Sequence, residues 1–466
     1  MKKIHQIIVK NPVFAGVLLT GTVLLASCEK FLDVKPTNSL VSENAISDAL
    51  TARALLTATY SSLRSIYSTN ELFGFLPGDN VQFGGSQYQN IELDTYSFGV
   101  INTSIVGAYR SLYSLINRAN WVLTEIPKVT DPALTEEERN NILGEARFIR
   151  ALAYFNLGKT WGGVQLQLEP TTSLSSIGAL KRSTLAETYN RVKDDLTEAE
   201  RLLREEDATT RNRAQKSSVR ALRARVHLYA GEWAEAEQYA SQVIANTAKF
   251  ELVKPYSAFF AGPFLTKESV FEISSTANNT ANRWSIWYPA TVARGGSYEY
   301  IPTGEIVDLL NNPNIGGTRK SLISVSGGST YYVVLYHTTV ATANVPANTD
   351  PLYAIRIAEL YLIRAEARAK KTPTDLPGAI ADLNAIRDRA EVPLFATTTD
   401  AQAVIQAIED ERRVEFAFEG HRWYDLVRTG RAKAVLGVDE DYWLFPLPNA
   451  DVLSDEGLDG KNNPGY

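Results

Sequence analysis

Alanine recurs at three- and four-residue intervals in three separated stretches of this chain, and that spacing limits the available folds more than any other feature. The stretches are EARFIRALAYFNLGKTWGGV from Glu145, SVRALRARVHLYAGEWAEAEQYASQVI from Ser218, and RIAELYLIRAEARAK from Arg356 followed by AIADLNAIRDRA from Ala379. On a helix this spacing lays small side chains along one ridge, so a second helix can approach closely. The latter two stretches each lead into a second alanine-rich helix. Helix pairs that bury an alanine seam are therefore the expected unit of construction.

The pattern is similar to tetratricopeptide helix pairs, which stack into a superhelix. The copies are far from a regular 34-residue spacing, so an interrupted solenoid is expected, with helices over about 42–66, 105–248 and 355–430. Capping boxes mark several helix starts: Thr135 with Glu138, Thr184 with Glu187, and Thr399 with Gln402. Two stretches, about 67–100 and 250–350, lack a helical period and are rich in Gly, Asn, Thr, Tyr and Trp. The second contains strand-like runs, SVFEIS from Ser269 and TYYVVLYH from Thr330. Irregular segments of this length are usually functional or disordered, and the aromatics argue against disorder. The fold class read from the sequence is mainly α: a tetratricopeptide-like helical-pair superhelix with a large irregular, loop-rich ligand-binding region containing short strands.

The N-terminus has the parts of an export signal. Lys2, Lys3 and Lys10 supply positive charge, Val13 to Leu25 is almost wholly apolar, and Ala26 and Ser27 precede Cys28, the only cysteine. A Leu-Ala-Ser-Cys ending resembles the bacterial lipoprotein signal, in which the cysteine becomes the first mature residue and carries acyl chains. The apolar run is too short to span a bilayer, which takes about 20 residues. Residues 1–27 are thus expected to be a signal peptide, with Cys28 as the lipidation site and residues 28–466 as one domain held at the membrane by lipid alone.

Of the formal net charge of −6, the three leader lysines contribute +3, which leaves −9 on residues 28–466. An acidic chain does not suit nucleic acid, whose phosphates require a basic face. With Cys28 acylated no disulfide forms, so stability must come from burial. No G-x-S-x-G or H-E-x-x-H string occurs, and His227, His337 and His421 lack metal-ligand spacing. Neither an enzyme, a metal site nor a cofactor is expected.

The string IEDERRVEFAFEGHRWYDLVRTG, Ile408 to Gly430, is the most specific in the mature chain. Val414, Phe416, Phe418 and Leu426 offer apolar surface, and Glu411, Arg412, Arg413, Glu415 and Glu419 are spaced to pair along a helix. Gly420 can end that helix in a left-handed conformation, and Asp425 and Arg428, three apart, can pair on the next. The same string, with CEKFLDVKPTN from Cys28, ELYLIRAEARAK from Glu359 and the ending YWLFPLPNADV to NNPGY, resembles the SusD/RagB family of outer-membrane nutrient-binding lipoproteins of Bacteroidetes. The likeness spans nearly the whole chain. Two departures are visible: only Glu29 and Asp33 are acidic just after Cys28, and TWGGVQL from Thr160 stands where a tyrosine-glycine-valine-proline turn is usual.

The resemblance implies a helical scaffold displaying a variable ligand-binding face on the cell exterior. It also implies a partner, a SusC-like TonB-dependent outer-membrane transporter that receives a captured oligosaccharide. A peptide ligand, or a purely structural subunit of the transporter complex, are the alternatives. Sugar rings present apolar C–H faces, so a binder supplies flat aromatics beside polar groups. Two segments have that mixture: Asp79, Asn80, Gln82, Phe83, Tyr88 and Gln89, and then Asn282, Arg283, Trp284, Trp287, Tyr288, Arg294, Tyr298 and Tyr300. Trp284 and Trp287 are expected to lead. Trp121, Trp161, Trp233, Trp423 and Trp443, in helical or signature contexts, are expected in the core. Of Tyr331 and Tyr332, alternating on a strand, at most one can reach a ligand.

Overall fold

A computed structural model describes residues 46–172, 180–207, 209–275, 283–293, 295–338, 340–342 and 345–466, the side chains of 68–70 excepted. Cys28 and the leader lie outside the described residues. Asp48–Tyr466 form one compact unit. Its elements in order are α1 (Ala49–Phe75), β1 (Val81–Phe83), α2 (Tyr88–Asp94), α3 (Thr103–Glu125), α4 (Glu136–Trp161), α5 (Leu185–Leu202), α6 (Lys216–Ala230) and α7 (Trp233–Ile244). There follow β2 (Ser269–Ile273), β3 (Tyr300–Pro302), α8 (Gly304–Asn311), β4 (Ile323–Ser326), β5 (Thr330–Val333), β6 (Leu352–Arg356), α9 (Ile357–Lys370), α10 (Leu376–Arg389), α11 (Ala401–Glu415) and α12 (Arg422–Arg428). The protein is mainly helical.

The alanine ridges do what their spacing implies. Helices stack in succession, α1 on α3, α3 on α4, and on through α5, α6 and α7. Ala221, Ala224, Ala236 and Ala240 are wholly buried where α6 meets α7. The next partner of α7 is α9, more than a hundred residues later, so the irregular stretch is an insertion between neighbours in the stack. Among the described residues, no helix is long and apolar enough to cross a membrane.

Local chemistry sets the helix ends. The Thr135 hydroxyl accepts from the Glu138 amide at 3.2 Å, although the Glu138 carboxylate turns to Arg53 at 2.6 Å and does not close the box. Thr184 and Glu187 form the full capping box. At α11 the expectation of Thr399 is corrected: Asp400 is the cap, accepting from the Gln402 amide at 2.9 Å. Aspartate caps as well as threonine, and the two are adjacent in the chain. The first helix also differs, because Asp48 caps it and it runs on to Phe75, burying Leu72, Phe73 and Phe75.

There are three two-stranded antiparallel sheets, β1 with β3, β2 with β6, and β4 with β5, and every strand but β1 comes from the insertion. β2 and β6 are buried along their whole length, and β6 runs directly into α9, joining insertion to scaffold. Within β2, Glu272 is wholly buried; burial pushes its carboxyl up to about 7, against hydrogen bonds from Ser269 and the Leu265 amide.

The signature block departs most from its sequence reading. Val414, Phe416, Phe418 and Leu426 are buried as expected, Gly420 is left-handed at φ 72°, and Arg428 pairs with Asp425 at 2.8 Å. A Cβ on Gly74 would stand 1.8 Å from the Gly420 carbonyl oxygen, so α1 approaches this turn only because Gly74 has no side chain. The acids and arginines, however, pair with remote elements and not along their own helix. Glu415 takes Arg356 at 2.9 Å, Arg319 at 2.9 Å, and Arg389. Arg356 also bonds Glu419 at 2.6 Å and Glu268 at 2.9 Å, and Arg389 reaches Glu268 at 3.1 Å. Glu411 holds Arg319, and Arg387 at 2.6 Å. Burial opposes ionisation of Glu415, but Arg389, Arg356 and Arg319 hold its carboxyl down at about 2. A second chain of pairs runs from Arg412 through Asp425 and Arg428 to Glu366.

Candidate functional site

The two polar–aromatic segments picked from the sequence come together in the fold. β1 pairs with β3, placing Gln82 opposite Ile301 and Phe83 opposite Tyr300. α2 packs on β1, and β3 on β5, so α2, β1, β3, β5 and β4 form one continuous face. The Gly84–Gln87 turn joins β1 to α2, and the Gly84 amide donates to the Glu299 carbonyl at 2.7 Å. That bond ties the start of the turn to Glu299, next to Tyr298, and Tyr88 follows the turn as the first residue of α2.

This face has two layers. The inner one is aromatic and closed. Trp287 is 1 % exposed, boxed by Phe75 at 5.5 Å, Tyr300 at 5.3 Å and Phe418 at 5.9 Å between ring centroids. Trp284, at 8 % exposure, donates its indole N–H to Asn348 Oδ1 at 2.8 Å and meets Tyr288 edge-on. Tyr288 in turn lies against Tyr332 at 4.9 Å. Trp284, Trp287, Tyr288 and Tyr300 are therefore buried against other side chains, which corrects the sequence expectation that they stand open on the face. The apolar area of Trp287 and Tyr300 is worth more against Phe75 and Phe418 than in water, so these two pin the insertion to the scaffold.

Asp79 and Asn80 are corrected for a different reason. Asp79 bonds Arg422 at 2.6 Å and Arg413 at 3.0 Å. Burial works against its charge, but hydrogen bonding and charge from Arg422, with Arg413, hold the carboxyl below its usual range. Asn80 is wholly buried, donating to the Arg413 and Ala417 carbonyls at 3.2 Å and accepting from Arg413 Nε at 3.0 Å. Both are joints between β1 and the signature block.

The outer layer is what remains. Gln82 is exposed on β1, and Tyr88 is 71 % exposed. Tyr298 is half-buried in a left-handed conformation, φ 51°, and donates its hydroxyl to the Tyr331 carbonyl at 2.6 Å. Tyr331 lies opposite Val325, itself 45 % exposed, while Tyr332 turns inward to Tyr288. Phe83, Gln89 and Arg283 are half-buried. Asn282 and Arg294 lie outside the described residues. The sequence reading missed Glu92, which stands one helical turn from Tyr88 and accepts from its hydroxyl and from Asn102 Nδ2 at 2.6 Å. The i, i+4 spacing of Tyr88 and Glu92 was the signal for it.

Of the tryptophans expected in the core, Trp161 and Trp423 are fully buried and Trp121, Trp233 and Trp443 partly so. His227 is buried, stacked on Tyr239 and bonded to Glu232. A cleft of about 510 Å³ opens on the helical side between α9 and α11, lined by Lys370, Gln402, Ile405, Gln406, Glu409 and Arg431 among others. No aromatic ring lines it, so it lacks a surface on which a sugar could stack. Among the described residues, no cluster of three His, Cys, Asp or Glu side chains could hold a metal ion.

Comparison with known proteins places this architecture. Residues 276–441 match the model of the SusD family, and residues 30–228 match a second model described as starch-binding associating with outer membrane. A SusD-like protein of Formosa agariphila is 27 % identical, over 94 % of this chain and 96 % of its own. The starch-binding protein SusD of Bacteroides thetaiotaomicron is 26 % identical, over 86 % and 85 %. Among solved structures, a laminarin-binding SusD-like protein matches with a TM-score of 0.77 at 24 % identity, covering 90 % of this chain and 100 % of its own. A SusD superfamily protein of Bacteroides vulgatus matches at 0.78 and 21 % identity, covering 90 % and 99 %.

Proposed function

The chain belongs to the SusD family, and from that premise we propose that it is an outer-membrane-associated binding protein, not an enzyme, that captures a glycan on the face formed by α2, β1, β3, β4 and β5. The observation that carries this reading is the outer layer itself. Tyr88 offers an exposed ring beside Glu92, and Gln82 and Tyr298 bring further donors and acceptors to the same face, above the closed aromatic layer. A flat ring takes the C–H face of a sugar and the polar groups take its hydroxyls. The relatives support the ligand class, since one is named for starch binding and a structural neighbour for laminarin binding.

Acylation of Cys28 tethers the protein to the outer membrane, facing outward, and the bound oligosaccharide passes to a TonB-dependent transporter of the SusC type. The direct test is binding by a soluble form lacking residues 1–28, titrated with oligosaccharides, polysaccharides and peptides. Glycan binding that falls with Tyr88→Ala supports the reading. Binding to peptides alone, or glycan binding indifferent to Tyr88→Ala and Gln82→Ala together, overturns it. Co-purification of the full chain with a large outer-membrane barrel tests the transfer step.

A further inference from the structure

We propose that the glycan taken by this face is uncharged, and that polysaccharides bearing uronate carboxylates or sulfate esters are rejected. This rests on the glycan reading of the face given above.

The stretches 80–102 and 323–338, which carry α2, β1, β4 and β5, contain no lysine or arginine at all. The stretch 283–301 contains two, Arg283 and Arg294, and Arg294 lies outside the described residues. Arg283 points down from the face: its Nε–H is directed at the Asp350 carbonyl at 3.4 Å, and Glu71, Tyr336 and Asp350 are its electrostatic neighbours. The arginines beneath β1 are already spoken for. Arg422 is held by Asp79, and Arg413 by Asp79 and by Glu305 at 2.7 Å.

Among the described residues, the charges of these stretches that do not turn inward are negative. Glu92 stands beside Tyr88, and the half-buried Asp94 and Glu299 lie where the Gly84–Gln87 turn begins, the Gly84 amide donating to the Glu299 carbonyl. Asp94 accepts from the Phe83 amide at 3.1 Å, and burial raises its carboxyl. Anionic sugars are recognised by cations, above all by the bidentate arginine fork. A polyanion laid on this face meets carboxylates where it needs guanidinium groups, and the acidic charge of the mature chain adds to the repulsion. Uncharged sugars lose nothing there: their hydroxyls donate to carboxylates such as Glu92 and accept from the Gln82 amide.

The soluble form lacking residues 1–28 is titrated with neutral glycans (laminarin, maltooligosaccharides, galactomannan) and polyanions (alginate, polygalacturonate, carrageenan) at 50 and 500 mM NaCl. The expected result is binding of at least one neutral glycan with an affinity that changes less than about twofold with salt and falls about tenfold in Tyr88→Ala. Polyanions bind at least about tenfold more weakly. A polyanion that binds more tightly than every neutral glycan, and loses affinity both with salt and in Tyr88→Ala, overturns the inference and leaves the glycan reading standing. Polyanion binding abolished by Arg294→Ala does the same and names the cation responsible. Failure of every glycan to bind, in the presence of peptide binding, defeats the glycan reading itself and the inference with it.

Discussion

Around Arg356, four arginines (319, 356, 387, 389) and four glutamates (268, 411, 415, 419) interlock in the interior, whereas the outer face around Tyr88 is made of stretches nearly empty of cations. Both regions come from the same join between insertion and scaffold. In the interior, opposite charges are matched and dried, so each ion depends on its partners, and the network fixes one docking of β2, β6, α10 and α11. On the face, Gln82 and Tyr88 are exposed, and Glu92 and Tyr298 are half-buried with hydrogen bonds to near neighbours. The difference teaches that this chain uses paired charge for assembly and leaves the stretches that form the outer face almost free of cations.

The comparison is broken hardest by unpairing the interior. Arg356→Ala strands Glu419 and takes one arginine each from Glu268 and Glu415, and is expected to lower unfolding free energy by about 3–5 kcal/mol, read by chemical denaturation. Trp287→Ala, which empties the aromatic box under the face, is expected to cost a similar 3–5 kcal/mol, about the usual loss for a buried tryptophan. If Trp287→Ala instead left stability intact and abolished glycan binding, Trp287 would belong to the site after all.

The pH dependence sharpens the contrast next. Glu415 and Glu359, held at about 2 in the fold against 4.5 unfolded, contribute stability that is full above pH 4.5 and lost as pH falls toward 2. Glu272 works in the opposite direction. Its carboxyl is up at about 7 in the fold, so the native state holds a proton that the unfolded chain releases near 4.5. Stability should therefore decline by up to about 3 kcal/mol as pH rises from 4.5 to 7. Glu272→Gln is expected to flatten that decline in denaturation measured between pH 5 and 8, and an unchanged slope would refute the assignment.

The smallest effect falls on the face. Tyr88→Ala is expected to change stability by less than about 0.5 kcal/mol, as exposed positions do, while weakening glycan affinity about tenfold, or roughly 1.4 kcal/mol. A large stability loss would show that Tyr88 is part of the interior, and would erase the distinction between the layers.

Much of the scaffold was legible in the residues because helices are local. Alanine spacing, the threonines at 135 and 184 and Gly420 act over one or two turns, and the structure keeps them. Misplacing the α11 cap from Asp400 to Thr399 is the size of error that local reading makes. The sequence also marked the stretches that carry the face and, through its signature block, the family. It could not say which aromatics were buried. Trp287 and Tyr88 sit in equally irregular, equally mixed surroundings in the chain, and only the approach of Phe75 and Phe418, over two hundred and one hundred thirty residues away respectively, closes one and leaves the other open.

The same holds for the acids of the signature block. Their spacing offered partners within the helix, and the fold gave them Arg319, Arg356 and Arg389 from other elements. Thus the sequence alone determined the helical pairs, their interruption, the acidic balance and the scarcity of cations in the face-forming stretches, since these follow from composition and short-range geometry. Tertiary structure alone decided which rings meet solvent and which charges find partners, because burial and ion pairing depend on distances in space that spacing along the chain does not fix.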